Sequence, residues 1–546
     1  MLNIITYKTI RSVFRFEWLF SLFFLLVVFS FYGCGSAKTA TRENTDYNTT
    51  QLPSPVDEVK KDTNDTSDIS EPLSEKIDKV SADTIEDPLF RYQWYLKDIL
   101  VLEGVWSNYR GRGVRIGVVD SGIDAAHPDL IENLDLQHSF RYSDSAHDPS
   151  PTLAELEDPF VDETHGTAVA GIIAASQNKE GITGVAPEAT LVGLNVFSTG
   201  DDTSFASAMM YEDIDISSNS WGVDLSLGLN DDRVVLDAIE AKMHTDPTIF
   251  VFAAGNEQSN TVFSSVLNSR FTLVVGAVNS KEKAASYTNF GTNLLCVAPG
   301  GDKYDKGIVT TDLVGSRFGY DTTDMHFDVE GNENYDYSDI FIGTSAAVPA
   351  VSGAIALMME VNPDLSYRDV RYIIAHTSKQ VDKNDTSWIK NGAGLAYSRL
   401  YGFGLIDINA SVKMATEFES LPGEYVFHET VAESNVTIPD NNTTGILFRL
   451  NVTDRLRLEY VMLDLQCIHP YSGDLKIEVT SPSGTTLTVT DGDTLTQDPY
   501  MPWLFGLSGF MDEDAKGEWK IRISDIVEED SGRVERIRMD FYGVKQ

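Results

Sequence analysis

A chain of 546 residues with 42% apolar side chains is long enough for more than one folded core, and a formal net charge of −41 argues against a nucleic-acid binder or a protein held to anionic lipid by basic patches. The same acidity suits cation binding or a salty medium, and equally a well-solvated surface. Cys296 and Cys467 are far apart and lie in apolar strand-like runs, so buried inert thiols are expected rather than a disulfide framework.

Lys8, Arg11 and Arg15 precede an apolar run from Trp18 to Tyr32 that closes on Gly33-Cys34-Gly35-Ser36. That is the layout of an export signal, and the run is shorter than the roughly 20 residues of a membrane-spanning helix; an uncleaved anchor is the alternative. Gly33-Cys34 resembles the lipobox of bacterial lipoproteins. On that reading residues 1–34 are the export segment, and a lipid on Cys34 holds the protein to a membrane facing the periplasm or the exterior; otherwise the protein is secreted. No other membrane contact is expected. Residues 35–86 are rich in Thr, Ser, Asp, Asn and Lys without an apolar period, and read as a disordered acidic spacer or a short propeptide.

Order is expected from Asp87-Pro-Leu-Phe-Arg-Tyr-Gln-Trp-Tyr-Leu96. Val114 to Val119 reads as a buried strand running into Asp120-Ser-Gly-Ile-Asp124. An aspartate at the carboxyl end of a parallel strand stands where α/β folds place functional groups, although Asp-Ser-Gly alone also reads as a turn. Asp162-Glu-Thr-His165-Gly-Thr opens a helix with Ala168, Val169, Ile172 and Ile173 on its core face. Three more strands are expected: Thr190 to Phe197, Ile214 to Ser220 ending in Trp221-Gly222, and Thr248 to Ala254 ending in Gly255-Asn256. A helix covers Val234 to Met243. Alternating strands and helices predict a mostly parallel sheet covered on both faces. Asn256 has a carboxamide able to donate to an oxyanion, or to cap a turn.

In Phe341-Ile-Gly-Thr-Ser-Ala-Ala-Val-Pro-Ala350, small residues surround Ser345 and the apolar run Val351 to Met359 follows. A serine at a buried helix start meets free N–H groups and the positive end of the helix dipole, a setting for a nucleophile beside a developing oxyanion. Taken alone, the stretch also reads as a helix capped by Thr344 or Ser345. From Ile438 the texture changes to short alternating strands and tight turns: Tyr471 to Thr485, Gly517 to Asp525 and Asp530 to Gly543. These predict an all-β sandwich.

Asp120-Ser-Gly-Ile-Asp-Ala-Ala-His-Pro-Asp-Leu130, His165-Gly-Thr-Ala-Val-Ala-Gly171, Ala253-Ala-Gly-Asn256 and Gly343-Thr-Ser-Ala-Ala-Val-Pro349 resemble, in order, the four active-site blocks of subtilisin-like serine proteases. A narrower likeness is to the kexin and furin branch. Asp87 to Leu96 looks like the start of its catalytic domain, Asn219-Ser-Trp-Gly222 like its substrate-binding strand, and the β-rich end like its jelly-roll P domain. The resemblance implies a catalytic domain over 87–420 and a P domain over 421–546. It implies an exported serine endopeptidase with Asp120, His165 and Ser345 as the catalytic set and Asn256 as oxyanion donor. Ser220, Trp221 and Gly222 bind a polypeptide that adds a strand along Ser217 to Gly222 and passes near Ser198 to Asp202. It also implies structural Ca²⁺, with Asp129 and Asn178 of the loop Ser176-Gln-Asn-Lys-Glu-Gly-Ile-Thr183 as side-chain ligands and Asp87 as a third. The chain departs from the branch where convertases carry the acids that select basic residues: Trp221-Gly222 continues Val223-Asp224-Leu225, and Phe263 to Ser269 has no acid. That tells against dibasic cleavage, and leaves Asp201, Asp202, Asp224 and Glu257 to favour a positive substrate by field alone. The competing readings are a catalytically weak subtilase-like surface protein that binds partners through its P domain, and a purely structural surface lipoprotein.

Overall fold

A computed structural model describes residues 85–99, 104–158, 162–431, 435–492 and 499–546. The export segment with Cys34, and the spacer up to residue 84, lie outside the described residues.

The first strands are β1 (Arg115–Asp120), β2 (Phe140–Arg141), β3 (Thr190–Asn195), β4 (Ile216–Asn219), β5 (Ile249–Ala253), β6 (Thr272–Val278) and β7 (Leu294–Pro299). They form a parallel sheet in the order β2-β3-β1-β4-β5-β6-β7. β4, β5, β6 and β7 are buried at every residue, as strands covered on both faces must be. The chain leaves β1 first to one side, to β3, and then to the other, to β4, so the crevice at the carboxyl end of β1 is a topological switch point.

The longer helices are α1 (His165–Ala174), α2 (Asp202–Met209), α3 (Arg233–Thr245), α4 (Thr344–Val361), α5 (Tyr367–Thr377) and α6 (Ile408–Thr416). α4 crosses one face of the sheet, touching β1 and β4 to β7, and packs against α1 and α6. Its mean hydropathy of 1.4 would suit a membrane span, yet it is buried from Thr344 to Met358 as the central core helix. α2 begins inside the segment expected to flank the substrate, because Asp201 caps it by accepting from the Ser204 N–H at 2.8 Å.

A two-stranded ribbon, β8 (Ile308–Thr311) with β9 (Tyr337–Phe341), leads into α4, and a small hairpin, β10 (Ile389–Lys390) with β11 (Ala396–Tyr397), follows α5. The β-rich end is a sandwich of two antiparallel sheets. One holds β12 (Tyr425–Thr430), β20 (Gly532–Lys545), β15 (Leu456–Ile468) and β18 (Tyr500–Leu507), with β13 (Val436–Ile438) also on β20. The other holds β14 (Ile446–Val452), β19 (Gly517–Asp525), β16 (Leu475–Thr480) and β17 (Thr486–Asp491). It begins earlier than the alternation from Ile438 indicated, since β12 already pairs with β20. β16 alternates buried and half-buried residues, whereas β15 is buried almost throughout. The reason is that the catalytic unit covers the outer face of its sheet. There the Tyr460 hydroxyl donates to the Asn268 carbonyl at 3.2 Å, and Arg368 of α5 makes a two-pronged ion pair with Glu459, both contacts at 2.7 Å.

Cys296 in β7 and Cys467 in β15 are buried and free, and burial pushes each thiol up to about 12.

Candidate active site

The candidate residues stand on different elements that end in one crevice. Asp120 closes β1, and its Oδ1 accepts from the Ser121 N–H at 2.8 Å and from His165 Nδ1 at 2.9 Å. His165 is the first residue of α1, so β1 and α1 bring the pair together by their ends. Burial disfavours the imidazolium, but the Asp120 carboxylate outweighs it, with Asp162 adding to the effect, and His165 is held above its ordinary value.

Ser345 is the second residue of α4, which Gly343 precedes as N-cap at φ +129° without a side-chain cap bond. The capping roles considered for Thr344 and Ser345 are thus not adopted, because their hydroxyls are engaged elsewhere. The Thr344 hydroxyl accepts from the Gly255 N–H at 3.1 Å, and the Ser345 hydroxyl donates to the Ser220 carbonyl at 3.0 Å. Ser220 Oγ in turn donates to the Ser345 carbonyl at 3.0 Å. That carbonyl is available because Pro349, four residues on in the helix, has no N–H to give it. The Ser345 hydroxyl therefore points at the end of β4.

Asn256 lies just past β5. Its Oδ1 accepts from the Thr344 N–H at 2.9 Å and hydroxyl at 3.0 Å, which turns Nδ2 toward the exposed side. The turn needs Gly255 at φ +100°, where a Cβ would lie 2.3 Å from Asn289 Nδ2. Asn289 holds the following loop from inside, accepting from the N–H groups of Glu257 at 2.9 Å and Ser259 at 2.8 Å.

Ser220, Trp221 and Gly222 continue from β4 into the same crevice. The Trp221 ring packs between Phe205 and Phe252, at 4.6 and 5.4 Å between centroids, and nothing lies within 4 Å of a Cβ on Gly222. The expected substrate strand along Ser217 to Gly222 is corrected here: β1 and β5 already pair with Ser217 to Asn219 on both sides, so free backbone begins only at Ser220.

The profile of the subtilase family matches residues 111–404, and that of the proprotein convertase P-domain matches residues 458–541. The chain belongs to the subtilase family. It is a serine-type endopeptidase of that family with a P domain behind the catalytic unit. An extracellular serine protease of Aeromonas sobria is 29% identical over 540 residues, covering 81% of this chain and 84% of that protein. Furin of Rattus norvegicus is 30% identical over 490 residues, covering 84% of this chain and 58% of furin. The crystal structure of the Aeromonas sobria protease with a chaperone superposes with a TM-score of 0.77 at 25% identity, covering 87% of this chain and 98% of that one.

Around the crevice this subtilase carries groups that the motifs did not mark. Phe341, at the end of β9, sets its ring edge-on to His165 at 5.3 Å, and Tyr320 lies 5.8 Å beyond it. The Tyr320 hydroxyl donates to Asp162 at 2.5 Å. Glu163, 4% exposed, has a buried oxygen without a hydrogen-bond partner, and burial, with Glu155, Asp120, Asp162 and Asp158 adding, pushes its carboxyl up to about 8. Only Glu163's place two residues before His165 in an acidic run hinted at this; Tyr320 comes from the distant excursion between β8 and β9. Of the four acids expected to act by field, Asp201 caps α2, Asp224 caps a local turn, Glu257 accepts from Asn289 Nδ2 at 2.7 Å, and Asp202 opens α2.

The three expected cation ligands meet at one loop. Asp87 accepts from the Lys179 N–H at 2.7 Å, Asp129 Oδ2 from the Ile182 N–H at 2.9 Å, and Asn178 Oδ1 from the Glu180 N–H at 2.8 Å. Asp129 is fully buried, and burial pushes its carboxyl up to about 8 against the bonds from the Ile182 N–H, Asn178 and Tyr337 that favour its charge. A buried carboxyl grouped with other hard-oxygen side chains fits a cation. Among the described residues no three His, Cys, Asp or Glu side chains converge. Asp87, Asp129 and Asn178 could offer carboxylate and amide oxygens to a cation, hard donors of the kind that suit Ca²⁺.

Proposed function

We propose that the chain is an exported endopeptidase that cleaves polypeptides through an acyl-enzyme formed on Ser345. The observation that carries this reading is the Asp120–His165 contact of 2.9 Å at the end of β1, with His165 packed against Phe341 just before the helix start that bears Ser345.

An extended peptide that donates to the Ser220 carbonyl takes that acceptor from Ser345 and turns the hydroxyl toward His165. Oγ then attacks the scissile carbonyl, and its proton passes to His165 Nε2. Asp120, at Nδ1, orients the ring and stabilises the imidazolium. Asn256 Nδ2 and the Ser345 N–H, at the positive end of α4, receive the oxyanion. As the C–N bond breaks, His165 gives the proton to the leaving amine. Water then attacks the ester, with His165 taking its proton, and as the C–O bond breaks His165 gives that proton to Ser345 Oγ, which frees the acid product and restores Ser345. The polypeptide lies along Ser220 to Gly222, with Trp221 as a wall.

A fluorophosphonate probe tests the reading: it is expected to label Ser345 in the purified protein, and attachment at another residue would overturn the assignment. His165 must be neutral to accept the proton, so the acid limb of kcat/KM is expected at a pH above the ordinary histidine value. Asp162→Asn removes one of the charges that stabilise the imidazolium, so it should move that limb to lower pH. A limb that stays in place would rule out the coupling.

Calcium held by Asp129, Asn178, Asp87 and loop carbonyls would supply positive charge to this anionic loop and so stabilise the catalytic unit. Its support is the fully buried Asp129 carboxyl, held with Asp87 and Asn178 on one loop. A chelator is expected to lower the melting temperature by several degrees, and Asp129→Asn to abolish that sensitivity; a loss as large in the variant would move the site elsewhere. The readings at the N-terminus are export and lipid anchoring through Cys34. The first is supported by the extracellular relative, and both by the apolar run ending in Gly33-Cys34. The reading of a domain boundary near residue 420 is supported by the change from α6 to β12.

A further inference from the structure

The loop that carries Asn256 is gripped from outside by the P domain. Thr261, Val262 and Phe263, at its far end, are buried. The Trp503 indole N–H of β18 donates to the Val262 carbonyl at 2.8 Å, and Asn260 Nδ2 donates to the Val489 carbonyl of β17 at 2.7 Å. Val262 also accepts from Asn268 Nδ2 at 2.7 Å, and Asn268 Oδ1 accepts from the Gly506 N–H of β18 at 2.9 Å. With Asn289 holding Glu257 and Ser259, the segment from Asn256 to Phe263 is pinned on one side by the catalytic unit and on the other by the sandwich.

We infer that Trp503 is a positioning residue for the oxyanion donor: through Val262 it fixes the loop on which the Asn256 carboxamide is set. This rests on the reading of Asn256 as that donor. The physical ground is that a carboxamide stabilises an oxyanion only when it is held in place before charge develops, and that a shift of about 1 Å can cost about 10²-fold in rate. The bond of Asn256 to Thr344 sets the rotation of the side chain, while the loop grip sets where its Cα stands. The P domain thereby enters turnover as well as stability.

A double-mutant cycle tests the inference in the full-length protein. Trp503→Phe keeps an aromatic, though smaller, ring and removes the N–H; it is expected to lower kcat about tenfold with KM little changed. In the Asn256→Ala background the same substitution is expected to lower kcat less than about twofold, because the group being positioned is gone. Asn260→Ser, which frees the second contact, should follow the same pattern and covers the case in which Trp503→Phe does not fold. Arg368→Gln breaks the ion pair to Glu459 elsewhere on the interface and is expected to lower the melting temperature with kcat unchanged. Equal losses in both backgrounds, or no loss for either loop variant, would overturn the inference. An Asn256→Ala protein with undiminished kcat would instead overturn the oxyanion reading beneath it, so the two failures are distinct.

Discussion

Alanine at Ser345 is expected to lower kcat on a peptide substrate by about 10⁶-fold while leaving the fold intact. The magnitude follows from the need for covalent attack: without Oγ only water remains as nucleophile, and the oxyanion donors act on a much slower reaction. The fold should survive because Ser345 gives up one hydroxyl bond, to Ser220, while the reverse contact from Ser220 Oγ to the Ser345 carbonyl stays. His165→Ala is expected to cost nearly as much, and the two together little more than either alone, since nucleophile and base act as a unit. Multiplying losses in the double variant would show that Ser345 and His165 contribute independently.

Asn256→Ala should reduce kcat by about 10²–10³-fold with KM nearly constant. The substrate carbonyl is a weak acceptor and the tetrahedral oxyanion a strong one, so the carboxamide matters chiefly in the transition state. The same substitution removes the partner of the Thr344 N–H at the first turn of α4, a cost of about 1 kcal/mol. A modest drop in melting temperature is therefore expected beside the large kinetic loss. A raised KM at unchanged kcat would instead identify Asn256 as a ground-state binding group.

Much of the site was legible because catalytic groups in this fold sit at the ends of elements, where short motifs mark them. Asp120 at the end of β1 and His165 at the start of α1 were readable from a buried strand meeting Asp-Ser-Gly and from a helix opening on His-Gly. Ser345 at the start of α4 was readable from small residues before an apolar run. The excursion between β8 and β9 was not legible, because Tyr320 reaches Asp162 across 158 residues of chain and no period announces such a contact. The substrate strand was drawn too long because pairing on both sides of β4 is a property of the whole sheet, invisible in β4's own residues.

By itself the sequence determined which residue types stand at which strand and helix ends, because those signals are local, and the resemblance of four such blocks in order carried the family. Only the tertiary structure decided how the groups are aimed. The Ser345 hydroxyl rests on Ser220, the Asn256 carboxamide is turned by Thr344, and its loop is held by Trp503 from the P domain. These contacts join residues 125, 88 and 241 positions apart. Directional hydrogen bonds between such distant partners exist only once the sheet, α4 and the sandwich have packed together.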